Sequence, residues 1–170
     1  MESKENLVFL GMMGSGKSSI GLYISKKLKI DFIDVDTEIE KKMGMKISKI
    51  FENKGEKYFR DVEELVTLKL LKKSKTIISL GGGAFLNNKI RKEILENHIS
   101  FWLNWDFETL INRIKNNPKR PIAFKASKNQ LLSLMKKRSI VYSKAMYKIN
   151  CEKLTKNEIA REIIKIYEAH

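Results

Sequence analysis

Apolar residues along this chain keep two rhythms that take turns. Unbroken runs at Leu7-Val8-Phe9-Leu10, Thr76-Ile77-Ile78-Ser79-Leu80 and Ile99-Ser100-Phe101-Trp102-Leu103 have no wet face. They predict strands buried on both sides, as in the middle of a parallel sheet. Residues 30–34 and 148–151 predict two more strands. Between these runs apolar positions recur every three or four residues. Ile20, Ile24 and Leu28 mark a helix over 18–28, and Phe59, Val62, Leu65, Val66 and Leu70 mark one over 56–73. Phe107, Leu110, Ile111 and Ile114 mark another, 127–142 reads as helical, and Ile159, Ile163 and Ile166 mark the last. Asn87 or Asn88, Asp106, and the pair Thr155 and Glu158 supply N-terminal caps for three of these helices.

Strands that alternate with helices predict an α/β fold, a parallel sheet of about five strands with helices on both faces. Two stretches interrupt the alternation. Residues 37–60 offer helices only: one from Thr37 to Met43 broken at Gly44, then a short one through Ile47, Ile50 and Phe51 that ends near Gly55. A substrate-binding insertion belongs there. Residues 116–126 hold both prolines of the chain, Pro118 and Pro121, and read as a loop suited to a mobile lid. At 170 residues the chain is long enough for one well-buried core and short for two.

The first strand runs straight into Gly11-Met12-Met13-Gly14-Ser15-Gly16-Lys17-Ser18. This is the P-loop pattern, two glycines four residues apart followed by Lys-Ser. Glycines let backbone N–H groups approach an anion closely, and the helix that begins near Lys17 adds its positive end. The Lys17 ammonium can reach β- and γ-phosphates and the Ser18 hydroxyl can hold Mg²⁺. A plain glycine turn would explain the glycines but not the Lys-Ser that closes them. Gly14, Ser15, Gly16, Lys17, Ser18 and Ser19 are therefore the expected nucleotide-binding residues.

Composition narrows the partners. No apolar run approaches the roughly 18 residues of a membrane span, and the polar start, Met1 to Asn6, leaves no room for a leader before the first strand. One cysteine, Cys151, rules out an internal disulfide. A cytoplasmic protein is expected. The net charge of +14 would suit nucleic acid, but the basic residues are spread over the helices and never form a run of five or six. A lysine-rich soluble surface is the expectation, with no nucleic acid, no membrane and a monomeric chain.

Three further stretches would reach the P-loop. Asp34 and Asp36 sit at a strand's carboxyl end, where open α/β sheets bind ligands. Spaced by two, on an extended strand they would face one way and could hold Mg²⁺ or accept the proton of an attacking hydroxyl. Capping or solvated aspartates are the alternative. Arg60 precedes Glu63 by one helical turn, so the carboxylate can fix the guanidinium for bidentate recognition of another carboxylate. A surface ion pair of little worth is the alternative. Gly81-Gly82-Gly83 would let a ligand lie against bare backbone, or is a flexible turn. Arginine is scarce, with six in all, so each is a candidate for a geometric task. Arg120, in the loop, could close over the γ-phosphate.

Together these residues resemble the shikimate kinases, in order and spacing, over nearly the whole chain. The resemblance implies a P-loop fold like that of the nucleoside monophosphate kinases, in three layers with a lid. It also implies transfer of the ATP γ-phosphoryl group to the 3-hydroxyl of shikimate, a step of aromatic amino-acid biosynthesis, with ATP and Mg²⁺ bound. It assigns Asp34, with Ser18, to the metal and Asp36 to the substrate hydroxyls. Arg60 and Arg138 go to the substrate carboxylate, Gly81, Gly82 and Gly83 to its ring, and Phe51 to an apolar wall of its pocket. Arg113 falls near adenine, and Lys17, Asp36 and Arg120 are the catalytic set. After Tyr142 the chain departs from the family, with Lys144 and Met146 in place of Glu and Ala, and no residue from Glu152 to Thr155 matches its last adenine contacts. A gluconate or nucleoside-monophosphate kinase of the same architecture is one rival. A nucleotide-regulated nucleic-acid-binding module is another.

Overall fold

The computed structural model describes residues 5–115 and 126–170. Five parallel strands form one sheet: β1 (Leu7–Leu10), β2 (Asp31–Asp34), β3 (Thr76–Ser79), β4 (Ile99–Asn104) and β5 (Tyr147–Asn150), in the order β2-β3-β1-β4-β5. β1 is central, flanked by β3 and β4, and all four of its residues are buried. That is why its sequence has no polar face. β5, at an edge, alternates in exposure instead.

The helices are α1 (Lys17–Leu28), α2 (Val35–Met43), α3 (Ile47–Leu71), α4 (Asn88–Asn97), α5 (Phe107–Lys115), α6 (Lys128–Tyr142) and α7 (Lys156–Glu168). They flank the sheet, with α1 packed beside α7 and α3 beside α4. Gly21 sits inside α1, where glycine costs about 1 kcal/mol of helix propensity. A Cβ there would lie 2.6 Å from the Phe32 ring and 3.3 Å from Phe9, so its absence is what lets α1 lie close on the sheet. Each Leu, Ile or Phe buried between sheet and helices contributes roughly 1.5–3 kcal/mol.

Three caps fall on expected residues: Asn87 accepts from the N–H groups of Lys89 and Ile90, Asp106 accepts from Thr109 N at 2.8 Å, and Thr155 and Glu158 make a capping box. Ser127 and Gln130 make a second box, which the sequence reading does not single out. α2 ends on Gly44 at φ 64, and α3 is two helices joined across Gly55, where φ is 82 and ψ 171. The two breaks expected in the helix-only stretch are thus both present.

Two expectations change. The second strand ends at Asp34, whose side chain accepts from Thr37 N at 3.1 Å and caps α2. Asp36 is therefore in the first helical turn rather than on an extended strand, because a side-chain oxygen that satisfies an orphan N–H starts the helix early. Leu65 is 59% exposed, while Glu63 and Thr67 take the inward places on α3 at 2% and 0%. Phe59, Val66 and Leu70 on the same helix pack into the core as expected, and Glu63 reaches the stretch beside Gly81.

At the amino-terminal rim of the sheet, Asn6 is fully buried. Its side chain donates to the carbonyls of Leu71 and Lys73 at 3.0 and 2.8 Å and accepts from Thr76 N at 3.0 Å. Its own N–H donates to His98 Nδ1 at 3.3 Å. Asn6 thereby ties the start of β1 to the end of α3, the start of β3 and the turn before β4.

Candidate active site

The carboxyl rim of the sheet, on either side of β1, is where the crossovers diverge and leave a crevice. The loop after β1 holds Gly11, Gly14 and Gly16 at φ 145, 81 and 88, values that side chains with a Cβ rarely adopt. Gly16 is the residue that caps α1, so the helix's first N–H groups open directly onto the loop. Lys17 is 8% exposed and folds back over the loop, donating to the carbonyls of Gly11 and Met12 at 2.9 and 3.0 Å. Its charge stays inside the loop, where an anion would meet it. Ser19 is exposed two residues further on.

Ser18 Oγ donates to Asp34 Oδ2 and lies 3.3 Å from Ser79 Oγ. These are hard oxygen donors, the kind Mg²⁺ takes when it also keeps waters and phosphate oxygens. Among the described residues no group of three or more His, Cys, Asp or Glu side chains could hold a metal ion. A Mg²⁺ held by one carboxylate, a hydroxyl and its substrate fits that donor set. Ser79, which ends β3, is one participant that the sequence reading passed over.

The triple glycine joins the two halves of the site. A Cβ on Gly81 would lie 2.7 Å from Asp36 Oδ1 and 2.9 Å from Glu63 Oε1. One on Gly82 would lie 3.2 Å from Arg138 Nη1 and 3.6 Å from Met13 N in the P-loop. One on Gly83 would meet the Arg60 guanidinium, 2.9 Å from its Cζ. Asp36, Glu63, Arg60, Arg138 and the P-loop backbone thus converge on one bare stretch of chain. Gly83→Ala should push the Arg60 fork aside and leave the sheet untouched. Its KM for the acceptor should rise about tenfold, with a melting temperature within about 2 °C of the parent.

Burial shapes the charges. Asp36 is pushed up to about 6, first by burial and then by the Asp34 carboxylate, with Lys17 opposing. Burial also raises Glu63, although Arg60 pulls the other way. Arg60 Nη1 donates to Glu63 Oε2 at 2.7 Å. With Glu63 2% exposed, this is no surface pair: its geometry fixes the fork. Phe59 lies under that guanidinium at 5.2 Å, and the Phe51 ring packs on Phe59 with centroids 4.6 Å apart. Phe51 supports the floor beneath Arg60.

Arg138, at 9% exposure, has among the described residues no partner for its buried Nε. The end of the guanidinium that reaches the glycine shelf is Nη1, 3.2 Å from where a Gly82 Cβ would lie, and a charged donor there suits an anionic ligand. Tyr142, one turn on, donates to the Gly82 carbonyl, and burial pushes its phenol up to about 12. It therefore stays a donor at any physiological pH and holds the glycine shelf in place.

Arg113 stands apart from the acceptor groups. It reaches Gly14 O at 3.4 Å and stacks on the Trp105 ring with its Cζ 3.7 Å from the centroid. That puts it against the backbone of the P-loop. Trp105 was missed in the sequence, although its place just past a strand's carboxyl end is a signal for ligand contact. Arg120, with residues 116–125 of the expected lid, lies outside the described residues.

A family model described as shikimate kinase matches residues 13–168. A shikimate kinase of Bartonella quintana (strain Toulouse) is 41% identical over 163 residues, which cover 95% of this chain and 78% of that protein. The structure of shikimate kinase from Acinetobacter baumannii in complex with shikimate superposes with a TM-score of 0.92 at 28% identity, covering 99% of this chain and 95% of that one. Shikimate kinase from Aquifex aeolicus gives a TM-score of 0.84 at 32% identity, covering 96% of each chain.

Proposed function

The chain belongs to the shikimate kinase family and phosphorylates shikimate with ATP, and we propose that it does so in the cleft between the P-loop, the triple glycine, Arg60 and Arg138. The observation that carries this assignment is the meeting of two guanidinium groups from separate helices on the glycine shelf that also bears Asp36. Two forks at one site are what a small hydroxy-carboxylate needs for a fixed orientation.

Arg60 and Arg138 take the carboxylate of shikimate, with Glu63 holding Arg60 in register and Phe51 behind it. Gly81, Gly82 and Gly83 let the ring lie against backbone, which turns its 3-hydroxyl towards Asp36. Asp36 orients that hydroxyl and takes its proton as the oxygen bonds to the γ-phosphorus and the bond to the β–γ bridging oxygen breaks. A carboxylate titrating near 6 is still ionised at neutral pH yet more basic than an ordinary aspartate, which suits a general base. Lys17, released from the Gly11 and Met12 carbonyls, offsets charge on the γ-phosphoryl oxygens, and Gly14, Ser15, Gly16 and Ser19 frame the phosphates. Arg113 lies along the nucleotide and Arg120 completes the charge balance from the lid. Mg²⁺, when bound at Ser18 and Asp34, neutralises phosphate charge. Holding both reactants in line supplies much of the rate by itself.

Residues 37–60 are the substrate-binding insertion in this reading and 116–126 the lid. The protein acts as a monomer in the cytoplasm, where ATP is. Among the described residues no helix is long and apolar enough to cross a membrane.

Acceptor-dependent ADP release measured with shikimate, gluconate and a nucleoside monophosphate tests the assignment. Shikimate should give turnover at least a hundredfold above the others. Comparable rates with gluconate or the nucleotide would overturn it.

A further inference from the structure

Trp105 has no place in the scheme above, yet it touches the phosphate loop directly. Its indole Nε1 donates to the Ser15 carbonyl at 2.9 Å, a bond buried between a ring 7% exposed and a serine with no exposure. The other face of its work is Arg113, whose guanidinium lies 3.7 Å from the ring centroid while Nη1 reaches Gly14 O at 3.4 Å. One side chain past the end of β4 therefore grips two consecutive residues of the loop after β1, one directly and one through Arg113.

The peptide between Ser15 and Gly16 is planar and trans, so its carbonyl and its N–H point in opposite directions. Holding the Ser15 carbonyl on the indole fixes where the Gly16 N–H aims. Gly16 caps α1 at φ 88, a conformation glycine leaves easily because no Cβ restrains it. The glycines that let the loop wrap an anion also let this peptide turn over. A flipped plane would present an oxygen to the phosphates in place of a donor.

We infer that Trp105 is a positioning residue for nucleotide binding: its N–H locks the Ser15–Gly16 peptide in the phosphate-binding orientation, and its ring holds Arg113 against Gly14. The inference rests on the loop's role in binding ATP proposed above, and it concerns no contact between Trp105 and the nucleotide itself.

The test is ADP binding with Mg²⁺ by calorimetry, which needs no acceptor and so stands apart from the choice of substrate. Trp105→Phe keeps an aromatic face for Arg113 and removes the donor. A benzothienylalanine at the same position keeps the whole ring shape and replaces only the N–H by sulfur. Both should weaken ADP about tenfold, the scale of one lost hydrogen bond in a buried site, while shikimate affinity stays within about twofold. A purely structural role would lower the melting temperature and leave ADP binding as in the parent. Unchanged ADP binding in the benzothienylalanine protein would overturn the inference. So would equal weakening of ADP and shikimate, which would signal general loosening. Failure of the parent to turn over shikimate would overturn the proposed function and leave this measurement valid.

Discussion

Asp36→Asn should lower kcat about a thousandfold and leave the KM for ATP within about twofold. Asparagine keeps the shape and can still hydrogen-bond the acceptor, but it cannot take a proton at neutral pH, and a positioned general base contributes roughly 10²–10⁴-fold. The pH profile supplies an independent check. Because burial and Asp34 push Asp36 up to about 6, the parent's kcat/KM should fall as pH drops through that value, and the Asn variant should lose that inflection. A full-activity variant, or an unchanged inflection in it, would remove Asp36 from the base role.

The same shift acts on stability with a defined sign. A carboxyl group raised above its ordinary 3.8 binds protons more tightly folded than unfolded, so stability declines as pH rises from about 4 through about 6. At neutral pH the full cost, up to about 3 kcal/mol for a shift of this size, is present in the unliganded protein. Thermal melts should therefore find Asp36→Asn more stable than the parent at pH 7 and close to it at pH 4. The site holds an unfavourable charge because the reaction requires one there.

Arg60→Ala should raise the KM for shikimate a hundredfold or more, with ATP nearly unaffected. Charge-assisted hydrogen bonds contribute about 1.5–3 kcal/mol each, and a fork makes two. The alanine also strands Glu63, which is 2% exposed and bonded to Arg60 Nη1 at 2.7 Å. An unpaired buried carboxylate is costly and takes up a proton instead, so Arg60→Lys is the cleaner companion. It keeps a cation beside Glu63 and loses the planar fork, and its KM for shikimate should still rise about tenfold or more. Equal losses for shikimate and ATP in both variants would show that Arg60 holds the fold together rather than the substrate.

Much of this architecture could be read from residue order alone. The buried strands announce themselves because β1 and β3 have no face that meets water, and Gly44 and Gly55 break the helices where the pattern stops. Arg60, Glu63 and the glycine triplet were legible as a local spacing and a bare run of backbone. What escaped was decided across the fold. Leu65 reads as inward by periodicity, but the helix turns it to solvent, and Glu63 and Thr67 share the buried side with Phe59, Val66 and Leu70. Asp36 looked like a strand residue until Asp34 used its side chain to cap α2. The bond from Trp105 to Ser15 spans 90 residues of sequence, and no pattern within a single element encodes it.

Asn6 sits at the rim of the sheet away from every group that meets a ligand, and it stitches β1 to three other segments. Heritable change at that knot and change at Arg60 or Arg138 are therefore filtered by different pressures. The first decides how many copies escape degradation in the cell, while the second decides what each surviving copy makes. A lineage can trade durability up or down at one pole without renegotiating its choice of metabolite at the other.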